Sequence, residues 1–228
     1  MTTDRKDSLI TLANPRSPAS EAYRTLRTNL EFSSLDKPIR TMVVTSPGPE
    51  EGKSTTLANL AITIAQGGKR VIVVDCDLRR PSQHTIFDVP NGAGLTTMVR
   101  EDQAMKEPPL QEIGIPDFWL LPSGPLPPNP SELLGSRRME EIITALLEQA
   151  DMILFDVPPI IAVTDAAVLA SKVDGVMLVF KAGETKRDHA QRAKALLEKV
   201  NARLIGAVLN NVAFDVSLHR YYAEQEQA

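Results

Sequence analysis

The chain has 228 residues, 43% of them hydrophobic and 24% charged, with a formal net charge of −4. That is the size and composition of one large globular α/β domain, and the slight negative charge gives no electrostatic reason to expect nucleic acid as a partner. A single cysteine, Cys76, excludes an intrachain disulfide and fits a reducing cytoplasmic setting, while the lack of an apolar run of about 18 residues or an N-terminal h-region predicts that the protein does not itself cross a membrane.

Residues 1–17 are polar, with Pro15 and Pro18 close together, and predict a flexible arm. Ser17 then reads as an N-cap and Pro18 as the first residue of a helix running to about Ser33. Glu21, Arg24 and Arg27 recur along one side of it at steps of three, which on spacing alone is a solvated charged face. The apolar, β-branched run at 41–46 predicts the first strand. Turn formers follow, and Gly52-Lys53-Ser54 then opens a segment with Leu57, Leu60, Ala61, Ile64 and Ala65 at helical spacing. The predicted helix spans 53–66 and is stopped by Gly67-Gly68.

Strand, tight loop and helix are the setting of a phosphate-binding loop. Backbone N–H groups at the helix start point toward an anion, and the helix dipole favours negative charge there. Lys53 adds a point charge for β- and γ-phosphates, and the Ser54 hydroxyl offers one Mg²⁺ position. The loop departs from the usual G-x-x-x-x-G-K-[ST] at its first position, where Pro47 replaces glycine.

Residues 70–77 form an almost unbroken apolar run that ends in Asp75 and Asp77. That is how a parallel strand covered on both faces reads, and the two acids, two positions apart, face one side at its C-terminal tip. Cys76 between them reads as a core residue. Farther on come a short turn and helix over 92–100, a strand over 117–124, a proline-rich connector at 125–130 and a helix over about 131–149, with Pro130 in its first turn. A third buried strand, 151–156, again ends in an acid, Asp156, before Val157-Pro158-Pro159. Helix (164–172), strand (175–181), helix (186–200) and strand (204–210) complete the alternation, which implies a mostly parallel sheet with helices on both faces.

Together these stretches resemble the bacterial tyrosine kinases (BY-kinases), P-loop relatives of the MinD/ParA-type ATPases, over nearly the whole chain. Ser-Pro-Gly-Pro-Glu-Glu-Gly-Lys-Ser-Thr-Thr (46–56) matches Walker A, Val-Ile-Val-Val-Asp-Cys-Asp-Leu-Arg-Arg-Pro (71–81) Walker A′, and Ile-Leu-Phe-Asp-Val-Pro-Pro (153–159) Walker B. Leu-Pro-Ser-Gly-Pro-Leu-Pro-Pro-Asn-Pro-Ser-Glu-Leu-Leu (121–134) matches the family's connector.

The resemblance implies a P-loop kinase domain over 18–214 and a tyrosine-containing tail over 215–228, with ATP and Mg²⁺ as cofactors. It implies that Gly48, Pro49, Glu50, Glu51, Gly52, Lys53, Ser54 and Thr55 hold the phosphates, and that Ser54, Asp77 and Asp156 support the metal. Asp75 would accept or orient the tyrosine proton, with the division of labour between Asp75 and Asp77 left open. Asn210 or Asn211 would touch adenine. Glu21-x-x-Arg24-x-x-Arg27 matches the family's oligomerisation motif, implying a ring-like homo-oligomer, and Tyr221-Tyr222 sits where the family carries its autophosphorylated cluster. A chain with no membrane span fits the split form, in which a membrane adaptor of the polysaccharide co-polymerase type activates the kinase and recruits it to the inner face of the membrane. The activity implied is an ATP-dependent protein-tyrosine autokinase governing capsular or exopolysaccharide synthesis and export.

Two departures set up rival readings. Glu50 stands where the family has glycine, a strained choice if that residue needs φ > 0, and the tail holds only two tyrosines, with Tyr23 as a further candidate that reads as structural. Both suit a nucleotide-binding scaffold with little kinase activity. A MinD/ParA-type ATPase is the other rival, although Gly48 replaces that group's early signature lysine and no basic amphipathic C-terminal helix is present.

Overall fold

The computed structural model describes residues 9–33 and 37–213. In chain order its elements are α1 (Ile10–Ala13), α2 (Pro18–Ser33), β1 (Thr41–Thr45), α3 (Lys53–Gln66), β2 (Val71–Asp75), α4 (Gln83–Ile86), α5 (Leu95–Arg100), α6 (Asp102–Lys106), β3 (Gln111–Glu112), β4 (Phe118–Leu121), α7 (Pro130–Gly135), α8 (Arg137–Leu147), β5 (Met152–Asp156), α9 (Asp165–Ala170), β6 (Gly175–Lys181), α10 (Arg187–Glu198) and β7 (Leu204–Asn210). The strands make one sheet in the order β3-β4-β2-β5-β1-β6-β7. Every neighbouring pair is parallel except β3 with β4. This is the expected P-loop NTPase-like α/β fold.

Alternation along the buried strands feeds two cores. Val43, Ile72, Val74, Ile153, Phe155, Val176 and Leu178 face one layer with side chains of α5 and α7–α10. Met42, Val44, Val71, Val73, Leu154, Met177 and Val179 face the other, packed against α3 and Leu30 of α2. Strands covered on both faces need apolar residues at every position, which is why their sequences read as continuous runs.

Three expectations change. Residues 9–17, assigned to a flexible arm, contain α1 and are tied to the domain. Leu9 and Thr11 are buried, and the Thr11 backbone N–H and hydroxyl both donate to Asn59 Oδ1, at 3.0 and 2.9 Å. The helix expected over 131–149 is two helices. Ser136 is extended (φ −67°, ψ 157°), and its hydroxyl accepts from the Met139 N–H at 3.2 Å, capping α8 afresh. The short elements α4, α6 and β3 were not anticipated, because two to five residues carry no readable period.

Strand order brings the chemistry to one place. β5 lies between β1 and β2, with Asp156 level with Val44 on one side and Asp75 on the other. Three loops far apart in sequence therefore leave the sheet side by side at its C-terminal edge, where open α/β sheets bind ligands.

Candidate active site

The first of those loops, 46–52, is bent by its backbone. Glu50 and Gly52 both lie in the left-handed region, at φ 59° and 86°. The Ser46 hydroxyl donates to the Gly48 carbonyl at 2.6 Å, and the Gly48 N–H donates to Glu51 Oε1 at 3.2 Å. Asn210, at the end of β7, lies across the loop: its side-chain amide donates to the Glu51 carbonyl at 3.1 Å. A Cβ on Gly52 would come within 2.0 Å of that amide nitrogen. Glycine is required at 52 on both counts. Glu51 is buried, which pushes its carboxyl above the usual range against the pull of the Gly48 N–H, Thr185 and His189.

At the tip of β2, two acids organise the turn that comes next. Asp75 is fully buried; its Oδ1 accepts from the Asp77 N–H (3.2 Å) and its Oδ2 from the N–H groups of Ser82 and Gln83 (both 2.9 Å). Asp77 Oδ1 accepts from the Arg80 N–H at 2.9 Å. Lys53, at the start of α3, reaches across all three strand tips. Its ammonium lies 3.0 Å from Asp77 Oδ2, 3.0 Å from Asp156 Oδ1 and 3.1 Å from the Ser54 hydroxyl.

Charge is concentrated here with little water to screen it. Burial works against the Lys53 ammonium, but Asp156 and Asp77 outweigh it, and its pKa lies above the ordinary lysine value. Burial first, and then the Asp156 charge, push the Asp75 carboxyl up to about 8. The Cys76 thiol, fully buried among these acids, is pushed well above its usual value and stays an inert core group.

Comparison with known proteins decides the family. The CobQ/CobB/MinD/ParA nucleotide-binding domain family matches residues 42–228. The tyrosine-protein kinase YwqD of Bacillus subtilis is 43% identical over 203 residues, 89% of this chain and 85% of that protein. The chain belongs to the bacterial tyrosine-protein kinases. Among solved structures, the chimerical protein CapA2B2 superposes on this kinase with a TM-score of 0.87 at 37% identity, covering 91% of each chain. The kinase domain of the Escherichia coli tyrosine kinase ETK superposes with a TM-score of 0.86 at 32% identity, covering 92% of this chain and 82% of that one.

The kinase brings together most of the residues singled out by sequence. Lys53, Ser54, Asp77 and Asp156 meet within one hydrogen-bonded cluster, with Asp75 directly behind it. Asn210 touches the loop over 46–52, whereas Asn211 (φ 58°) follows β7 as a turn residue and makes no side-chain bond to that loop among the described contacts. Of the charged face on α2, Arg24 pairs with Glu21 and donates to the Pro15 carbonyl at 2.6 Å. Arg27 is turned inward, donating to the Thr63 carbonyl near the end of α3 at 2.8 Å. Tyr23 packs against the core. Tyr221 and Tyr222 lie outside the described residues.

Two contributors escaped the sequence reading. Arg79 grips fully buried Asp165 through two bonds, Nε at 2.8 Å and Nη2 at 3.1 Å, joining the turn after β2 to the start of α9. A buried carboxylate needs such a partner, but the two residues are 86 positions apart. Gln83, also fully buried, donates through its side-chain amide to Asp156 Oδ2 at 2.7 Å and to the Ser54 carbonyl at 3.1 Å. Its only sequence signal is its place just after the Walker A′ stretch.

Proposed function

We propose that this kinase moves the γ-phosphoryl group of ATP onto tyrosine hydroxyls, those of Tyr221 and Tyr222 in a neighbouring copy included, and that this governs a ring-like homo-oligomer in capsular or exopolysaccharide synthesis and export. The observation that best supports the reading is Lys53 bridging Asp77 and Asp156 at 3.0 Å each, on the tips of adjacent strands. One hydroxyl (Ser54) and two carboxylates (Asp77, Asp156) around that point are an all-oxygen donor set suited to Mg²⁺, and a positive charge already sits among them. The ion, when bound, would neutralise charge on the β- and γ-phosphates.

The chain's own residues would do the rest. The N–H groups of the loop from Gly48 to Thr55 cradle the phosphates, with Pro49, which lacks an N–H, setting the bend. Lys53 moves from carboxylate to phosphate oxygens. Of the two Walker A′ acids, Asp77 is the better placed to meet the cation or a tyrosine hydroxyl. Its Oδ2 is held by Lys53 alone among the described contacts, whereas both Asp75 oxygens are committed to backbone N–H groups. Asp75 then acts from behind, holding the turn that presents Asp77. Asn210 braces the loop, and an adenine contact by Asn210 or Asn211 would lie at the same edge.

No helix among the described residues is long and apolar enough to cross a membrane. This is compatible with a cytoplasmic kinase drawn to the membrane by an adaptor of the polysaccharide co-polymerase type. Glu21 is exposed and Arg24 half-buried on α2, where they could meet a second copy, while Arg27 is engaged within its own chain. The positive φ of Glu50 favours a second reading, a scaffold that binds nucleotide but transfers phosphate weakly. Incubating the protein with labelled ATP and Mg²⁺, with and without the adaptor's cytoplasmic peptide, separates the two. Label on tyrosine that disappears in Tyr221→Phe/Tyr222→Phe is the expected result. Nucleotide binding without label in either condition overturns the kinase reading in favour of the scaffold, and hydrolysis without label favours a MinD/ParA-type ATPase.

A further inference from the structure

Gln83 touches three parts of the site at once. Its backbone N–H donates to Asp75, and its side-chain amide spans Asp156 Oδ2 and the Ser54 carbonyl. Both side-chain partners are acceptors only, so the NH₂ group must face them and the amide orientation follows from chemistry. That leaves Oε1, a buried acceptor with no partner among the described residues. An unpaired buried acceptor is costly, and this one, among seven buried side-chain polar atoms without a partner in the described residues, belongs to the side chain that touches the carboxylate cluster.

The Asp156 carboxylate shows what the contact does. Lys53 holds Oδ1 and Gln83 holds Oδ2, so the group is pinned at both ends. When Lys53 turns to phosphate, Gln83 is the remaining side-chain restraint on it. The same amide anchors the backbone of Ser54, whose hydroxyl is the other donor from the phosphate loop.

We propose that Gln83 is a positioning residue for the divalent cation: it locks Asp156 against the Ser54 end of the phosphate loop, and its Oε1 accepts from a water carried by that cation. Mg²⁺ keeps several waters when protein-bound, and these are hydrogen-bond donors. This role rests on the reading of the cluster as a nucleotide–Mg²⁺ site and adds a residue outside all three Walker stretches. Groups that hold metal ligands in place commonly change metal affinity by about 10–100-fold when removed.

The test is ADP binding by purified Gln83→Leu, read by fluorescence of a labelled ADP, first in EDTA and then across a Mg²⁺ titration. The expected result is an ADP Kd in EDTA within about twofold of native, because the loop amides and Lys53 are intact, with the Mg²⁺ midpoint raised about tenfold or more. Gln83→Met, which keeps the length and lacks the donor, carries the same expectation should branched leucine fail to pack. A Mg²⁺ midpoint within about twofold of native, or an equal loss of affinity with and without Mg²⁺, overturns the proposal and leaves Gln83 a brace for α4. Failure of both variants to fold does the same. If the native protein itself shows no Mg²⁺-dependent ADP binding, the nucleotide reading falls and takes this role for Gln83 with it.

Discussion

Two turns converge on the site and keep their shape by opposite means. The loop over 46–52 is a backbone object. Two of its residues have positive φ, and one side chain from β7 lies against it where no Cβ fits. The turn over 76–83 contains no positive φ and is wrapped around acids instead: Asp75 and Asp77 accept four of its backbone N–H groups, those of Asp77, Arg80, Ser82 and Gln83. The first turn ties up its Gly48 N–H on Glu51 but, among the described contacts, gives none to a strand-tip acid; the second consumes four internally and presents carboxylate oxygens. One edge of the sheet thus carries donors and carboxylate acceptors on adjacent strands, the two kinds of partner that the proposed phosphates and cation would need.

That contrast is most sharply broken at Gly52. Gly52→Ala places a methyl about where the Asn210 amide sits and keeps a left-handed φ, a conformation costing roughly 1–2 kcal/mol for an L-residue. The loop should shift, and nucleotide affinity should fall about a hundredfold, equivalent to roughly 2.7 kcal/mol, with the fold retained by circular dichroism. Binding within a few fold of native would show that the loop is not held by its backbone.

The acid-wrapped turn should respond to pH rather than to bulk. Asp75 is raised to about 8, above the roughly 3.9 of an unfolded aspartate. The folded chain therefore holds this proton more tightly. The stability it contributes is full below about pH 4 and is lost as pH rises through about 8. In protein free of nucleotide and metal, the thermal midpoint should fall across that window, and Asp75→Asn should flatten the fall. A profile that the substitution leaves unchanged removes Asp75 as its source.

The smallest effect belongs to Glu50. It is exposed and held at φ 59°, so Glu50→Gly relieves about 1 kcal/mol of strain and should raise Tm by about 2–4 °C for a chain of this size. A lower Tm would mean that the glutamate makes a compensating contact. Faster tyrosine labelling alongside the higher Tm would weigh against the scaffold reading.

Long elements were legible because their signals repeat. β6 and β7 run over the spans expected from their apolar runs, and α3 begins at Lys53 and ends before Gly67-Gly68 as the period and its stop required. The site was legible where a residue's neighbours in sequence carry its meaning, as at Lys53 or Asp156. It was illegible where meaning comes from a distant partner. Gln83 is ordinary until Asp156 is beside it, Asp165 until Arg79 reaches it, and Arg27 reads as a surface charge until the Thr63 carbonyl accepts from it. The break at Ser136 was visible in principle, since Gly135-Ser136 pairs a helix stop with an N-cap.

By itself the sequence determined the layer architecture and the chemistry available at three strand ends, because period, turn residues and residue type are local properties. Only the tertiary structure decided that β5 lies between β1 and β2, that Lys53 bridges Asp77 and Asp156, and that Gln83 pins the Asp156 carboxylate from its other side. Those depend on which strands pair and how loops pack across the sheet edge, and such contacts join residues as far apart as Glu51 and Asn210, 159 positions.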